Sequence, residues 1–185
     1  QADTVLITGE QLTYLGDQRT FTISDQVVLK TPSSRLATRV LKYDRNTSTA
    51  YYLTRSTLER KNLRITSDVG NYNTAYEVVR LRGNVVAVDS AFEMKTDTLL
   101  YYPNRNKYSF AGPTALVRDS TELICSKGTY AADMTLLELF GGAKMKSPNR
   151  YIEADSLYYF LNSEDGTLHG KATVADSLEG FVLSS

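Results

Sequence analysis

The 185-residue sequence has one cysteine, one histidine, no tryptophan and a formal net charge of zero. Each shortage removes a class of protein. Cys125 alone cannot close an internal disulfide, and His169 alone cannot supply a multi-histidine metal site. Lys plus Arg and Asp plus Glu both total 21, with no run of like charge. That balance argues against the basic face a nucleic-acid binder needs to displace counterions from phosphates, so no nucleic acid is expected as a partner. No stretch approaches the roughly 20 consecutive apolar residues of a membrane helix, and helical periodicity is weak throughout. The chain begins QADT without methionine, as a mature protein does once an A-x-A-like cleavage has removed its targeting segment, so export is expected.

What is present is tyrosine, 13 residues of it, set among Val, Thr and Leu in a β-rich composition. Stepping through the chain 29 residues at a time meets Tyr14, Tyr43, Tyr72, Tyr101, Tyr130 and Tyr159. Other columns keep the same step. Ile7, Leu36, Ile65, Met94, Leu123 and Ile152 are large and apolar, whereas Gly9, Thr38, Ser67, Thr96, Cys125 and Ala154 are small. Ile23, Tyr52, Leu81, Phe110, Leu139 and Leu168 form a third column, and Leu29, Leu58, Ala87, Leu116, Met145 and Val174 a fourth. Gly83, Gly112, Gly141 and Gly170 also fall in register. The whole chain therefore reads as about six copies of one unit in a single domain spanning 1–185.

Polar segments rich in Asn, Asp, Ser, Pro and Gly follow the tyrosines and recur half a repeat away, as alternating chain reversals do. Each unit is two strands of roughly ten residues, and short turns after every strand favour antiparallel neighbours. Leu63, Ile65, Ser67 and Val69 alternate with Arg64, Thr66 and Asp68 at the strand period. The alternation fails near the tyrosine, because Asp97 and Tyr101 share parity but want different surroundings. A bulge between them resolves this, and the glycine column predicts a second bend. The expectation is an all-β sheet of about twelve bent strands folded over on itself, with one face of each half turned inward.

The recurring pattern stands as ITSDVGNY with LRGNVVA, MKTDTLLY with FAGPTAL, LICSKGTY with LFGGAKM, and IEADSLYY with LHGKATV. It resembles the OstA/LptA-type proteins of lipopolysaccharide transport over residues 63–177. The first two units keep the tyrosine but place Glu10 and Arg39 at the Asp position, and Asp25 and Thr54 at the glycine. The resemblance implies a periplasmic antiparallel β-jellyroll, or β-taco, without catalysis or cofactor. It further implies a groove sheltering the acyl chains of lipopolysaccharide (lipid A), and edge strands that join other jellyroll-domain transport proteins or further copies. The groove candidates are Ile65, Leu81, Met94, Phe110, Leu116, Leu123, Leu139, Met145, Ile152 and Leu168; the expected edges are 5–14 and 172–183.

Two other readings stand beside this one. The apolar columns serve equally as plain core between two sheet halves, and the chain would then be a structural or adhesive β-solenoid binding glycans or protein partners. An enzyme would need acids and bases clustered on one face, which this sequence does not assemble. Asp68, Asp97 and Asp155 are expected as turn or bulge residues accepting backbone hydrogen bonds. A calcium ladder is disfavoured because its G-G-x-G-x-D signature is missing. The tyrosines are expected to pack at turns with hydroxyls reaching backbone. Cys125 is expected as a buried inert thiol, His169 as outward and solvated, and Arg80, Arg82, Lys144 and Lys146 as a solvated sheet face.

Overall fold

The computed structural model describes residues 5–185, and the export expectation rests on residues 1–4, outside them. Antiparallel strands and two short 3-10 turns make two compact units, Gln1–Ser90 and Ala91–Ser185. In the first unit the strands are β1 (Leu6–Thr8), β2 (Gln11–Leu15), β3 (Thr20–Lys30), β4 (Arg35–Asp44), β5 (Thr49–Tyr52), β6 (Ser56–Arg60), β7 (Leu63–Ser67), β8 (Val69–Asn73) and β9 (Val78–Val88). β1 and β2 both pair with β3, β5 and β6 both with β4, and β7 and β8 both with β9. Each of these short pairs is one long strand interrupted midway, at 9–10, 53–55 and Asp68.

The second unit is an unbroken meander of β10 (Glu93–Tyr102), β11 (Lys107–Arg118), β12 (Thr121–Ala131), β13 (Leu136–Lys146), β14 (Arg150–Phe160), β15 (Gly166–Asp176) and β16 (Phe181–Ser184). Its long strands carry a register shift at mid-length, between Lys95 and Thr98 on β10, between Ala111 and Thr114 on β11, and between Phe140 and Ala143 on β13. On β10 the shift flips the parity. Met94 and Thr96 are buried before it and Leu99 and Tyr101 after it, while Asp97 stays outside. A bulge lets one strand keep its apolar residues inward on both sides of a bend.

Left-handed residues mark the bends. Gly83, Gly112, Gly141 and Gly170 have φ of +76°, +93°, +76° and +79°, and Asp25 holds the equivalent place at +60°. Aspartates sit on the bare Cα of three of these glycines, Asp68 at Gly83, Asp97 at Gly112 and Asp155 at Gly170, and Ser126 takes that place at Gly141. A Cβ on Gly112 would lie 2.7 Å from the Asp97 Cβ, and one on Gly170 would lie 2.0 Å from Asp155 Oδ2. Asp155 Oδ2 accepts the backbone N–H of Lys171 at 3.1 Å, the role expected for it. Asp68 accepts side chains instead, Asn84 at 2.6 Å and Arg55 at 3.1 Å. Where the Asp/Gly pair is missing, Arg39 lies 3.7 Å from Asp25, and the Gln26 amide donates to Glu10 at 2.6 Å.

The strands are folded double within each unit. β14 has eleven residues, roughly 35 Å if straight at the usual rise of a strand. Yet Arg150 at its start donates to Glu164, four residues past its end, at 2.8 Å. Two side chains cannot cover such a span, so the strand must turn back at its bulge. The first unit repeats the contact, with Arg60 at the end of β6 lying 3.5 Å from Glu77 in the turn after β8.

Candidate functional site

Doubling the strands creates within each unit an interior with three levels. At the crease the two halves converge and only small side chains fit: Ser67, Thr96, Thr114, Cys125, Ala143 and Ala154 are all buried there. Thr96 and Thr114 share a hydrogen bond of 2.8 Å along the crease, between the neighbouring strands β10 and β11, and Tyr52 reaches Ser67 at 2.6 Å. Burial pushes the Tyr52 phenol up to about 12 and the Cys125 thiol up to about 11, so Cys125 is inert as expected.

Above the crease lie the large apolar columns. Ile65, Met94, Leu116, Leu123, Met145 and Ile152 come from the half between crease and one row of turns, and Leu81, Phe110 and Leu139 from the other half. All nine are at most 6% exposed, so the halves rest on each other. Leu168, on the last long strand, is half-buried. Gly128 serves this level, because a Cβ on it would come within 2.8 Å of the Phe110 ring. The lining emerges at the outer strands of each unit. Leu41 is fully buried, while Leu12, 29 residues earlier on β2, is 66% exposed. Likewise Ile152 is buried and Phe181, 29 residues later on β16, is 36% exposed.

The third level is a seam where the two rows of turns meet. Tyr72, Tyr101, Tyr130 and Tyr159 are buried there. Tyr130 accepts from Arg118 at 3.5 Å, and Tyr159 faces Arg150. The Tyr72 hydroxyl lies near Thr31 and Ser34 but in no hydrogen bond of good geometry, and burial raises its pKa. Folding each strand double brings the arginines of the opposite turn row within reach of the Tyr130 and Tyr159 hydroxyls. Phe92 adds rings to the seam, edge-on to Tyr108 and Tyr130 at 5.3 and 5.4 Å.

Polar contacts finish the seam. Ser33 donates to Glu77 at 2.9 Å beside the Arg60–Glu77 pair. Arg150 donates through Nε to Asp176 at 3.2 Å and through Nη1 to Glu164. Its pKa is raised, first by the Asp176 bond. Asp176 is held below the usual carboxylate range, first by the Glu179 N–H and also by Arg150 and the Leu178 N–H. Beneath Arg150 lies a cavity of about 380 Å³ with Met145, Tyr159 and Leu161 among its walls. The sequence reading missed these latching residues, since Arg60 and Arg150 sit at strand ends and Glu77 and Glu164 in turns, where charge is ordinary. The outer face is solvated as expected, with Lys144 paired to Glu153 at 2.9 Å, and among the described residues no cluster of three or more metal-ligating side chains forms.

Comparison with known proteins gives two findings. The family model described as OstA-like protein matches residues 1–97. Among solved structures, the fold is similar to that of LptH, the LptA-homologous periplasmic component of the lipopolysaccharide transport device from Pseudomonas aeruginosa. That likeness has a TM-score of 0.54 at 12% identity and covers 58% of this chain and 82% of that one. No curated protein matches the chain in sequence. The shared fold is an all-β antiparallel jellyroll.

Proposed function

The chain belongs to the OstA-like family, and from that premise we propose that it is a non-enzymatic periplasmic carrier or bridge for lipopolysaccharide. Acyl chains lie between the folded halves of each unit, against Leu81 in the first and against Phe110, Leu139 and the facing column in the second, and neighbouring jellyroll domains join through edge strands. The observation that carries this reading is the emergence of the apolar lining at the outer strands, where Leu12 and Phe181 stand exposed in columns whose inner members are buried. A plain core would stop at polar caps. A lining that runs out to the edge is continuous with whatever pairs there.

The physical rationale is the cost of wet hydrocarbon, roughly 0.8 kcal/mol per methylene. An acyl chain that slides along a continuous apolar surface never meets that cost in full, whereas one released into water does. β2 pairs with β3 along one edge only, among the described residues, so its other edge offers unpaired backbone groups to an incoming strand.

The alternative, a structural or adhesive repeat protein binding glycans on its outer face, draws on the Phe140, Tyr158 and His169 rings. These pack edge to face at 5.7 and 5.6 Å, which leaves them less free to stack on a sugar.

Photo-crosslinking decides between them. A photoreactive residue at Leu81, Phe110 or Leu139 is expected to capture lipopolysaccharide in cells, and labelling no stronger than from the outer-face Glu93 removes the carrier reading. Leu12→Lys is expected to weaken association in light scattering, and unchanged association removes the β2 edge as the joint.

A further inference from the structure

We propose that the seam in residues 91–185 is a side opening onto the lined interior, latched by the Arg150–Glu164 ion pair above Met145. The carrier reading supplies the cargo, an acyl chain, but the latch itself is a property of the chain that can be tested without lipid.

The seam is not closed in one way along its length. Near Phe92 it is shut by rings, with Phe92 of one turn row edge-on to Tyr108 and Tyr130, which are ladder neighbours in the other. Parting it there would expose several aromatic surfaces at once. Near Arg150 the two turn rows are instead joined by polar contacts of one side chain, the Arg150–Glu164 ion pair and the Tyr159 hydroxyl beside Arg150, at a cavity of about 380 Å³, a volume at the lower end of the range for ligand pockets. The cavity floor includes Met145, whose own column continues through Leu116. Access to the lining is therefore easiest here.

The two partners are held differently. Arg150 is anchored to its own turn row by Asp176, its register partner on β15, and Asp176 is anchored in turn by the backbone N–H groups of Leu178 and Glu179. Glu164 belongs to the opposite row, in the turn between β14 and β15, and its side chain is 65% exposed against 33% for Arg150. Arg150 is the fixed post and Glu164 the hook. Because the pair is half in solvent, salt and side-chain entropy weaken it, so it opens without disturbing the crease.

The test uses a thiol reporter under the latch. In a Cys125→Ser background, Met145→Cys is labelled with a maleimide under native conditions. Adding Glu164→Gln is expected to speed labelling roughly two- to fivefold, the span of a half-exposed ion pair. Arg150→Gln, which also deprives Asp176 of its cation, is expected to speed it about tenfold. Molar salt should accelerate the parent toward the Glu164→Gln rate and leave that variant nearly unmoved. Glu77→Gln, in the other unit, should change nothing.

Labelling unmoved by Glu164→Gln, or raised equally by Glu77→Gln, overturns the proposal, the second result meaning general unfolding. Should Met145→Cys fail to fold, Leu161→Cys, another wall of the same cavity, serves as reporter in the same Cys125→Ser background with the same expected order of rates. Lipid crosslinks from Leu139 together with unmoved labelling would leave the carrier standing and remove the side opening. Faster labelling without crosslinks would keep the latch and remove the cargo.

Discussion

Replacing Gly170 by alanine tests how the repeat bends its strands. Gly170 has φ +79°, and an added Cβ would fall 2.0 Å from Asp155 Oδ2 and 2.7 Å from Asp155 Cβ. Two costs follow. A Cβ in left-handed backbone costs about 1–2 kcal/mol wherever it occurs. Asp155 must also swing away, giving up the Lys171 N–H bond for about 1 kcal/mol more. The expected loss is about 2–3 kcal/mol, which at ordinary urea sensitivities moves the unfolding midpoint by about 1 M.

Gly142 supplies the control, because its φ is +76° and an added Cβ would meet nothing within 4 Å. Gly142→Ala should therefore show the backbone cost alone, about 1–2 kcal/mol. The double variant Asp155→Ala/Gly170→Ala should be more stable than the sum of its parts by at least about 0.5 kcal/mol, since the Lys171 hydrogen bond that both single variants lose is lost only once. If Gly170→Ala and Gly142→Ala cost the same and the double variant is additive, the aspartate does not clamp the bulge and the reasoning fails.

Two further outcomes concern titration. The Tyr52 phenol is raised to about 12, so from pH 10 to 12 the unfolded chain loses this proton while the folded chain keeps it. Stability should fall as pH rises across that window, and Tyr52→Phe should flatten the fall in urea titrations at matched pH. Asp176 is depressed, so its contribution is complete above the ordinary aspartate range and vanishes as pH drops through its lower folded value. The gap in urea midpoint between parent and Asp176→Asn should be full at pH 7 and close toward pH 3.

Much of the fold was legible because a repeat multiplies weak signals. One Asp, x, x, x, Tyr says little, but the same parity conflict at Asp97 and Tyr101 and again at Asp155 and Tyr159 demands a bulge. The structure places that bend, and even Asp25 keeps its left-handed backbone where glycine is missing. The partners of the tyrosines were not legible. Tyr130 and Arg118 are twelve residues apart with a turn between them, and only the fold angle at the crease decides whether they meet. Nor did the sequence distinguish lining from core, since inward alternation is the same for both. Leu139 reads identically whether its neighbour is Leu157 across the ladder or an acyl chain.

That ambiguity has a physical use on the proposed reading. An empty carrier whose halves stood apart would expose its whole lining, whereas here nine of the ten lining candidates are sealed against each other. Loading then exchanges one apolar contact for another, which is close to neutral for the protein, and the gain comes from the acyl chain leaving water. What opposes loading is only what holds the seam. Rings at Phe92, Tyr101, Tyr108 and Tyr130 make one stretch expensive to part, and the Arg150–Glu164 pair makes another cheap. On the proposed reading, a difference of this kind, and not the depth of the lining, decides where this chain admits its cargo.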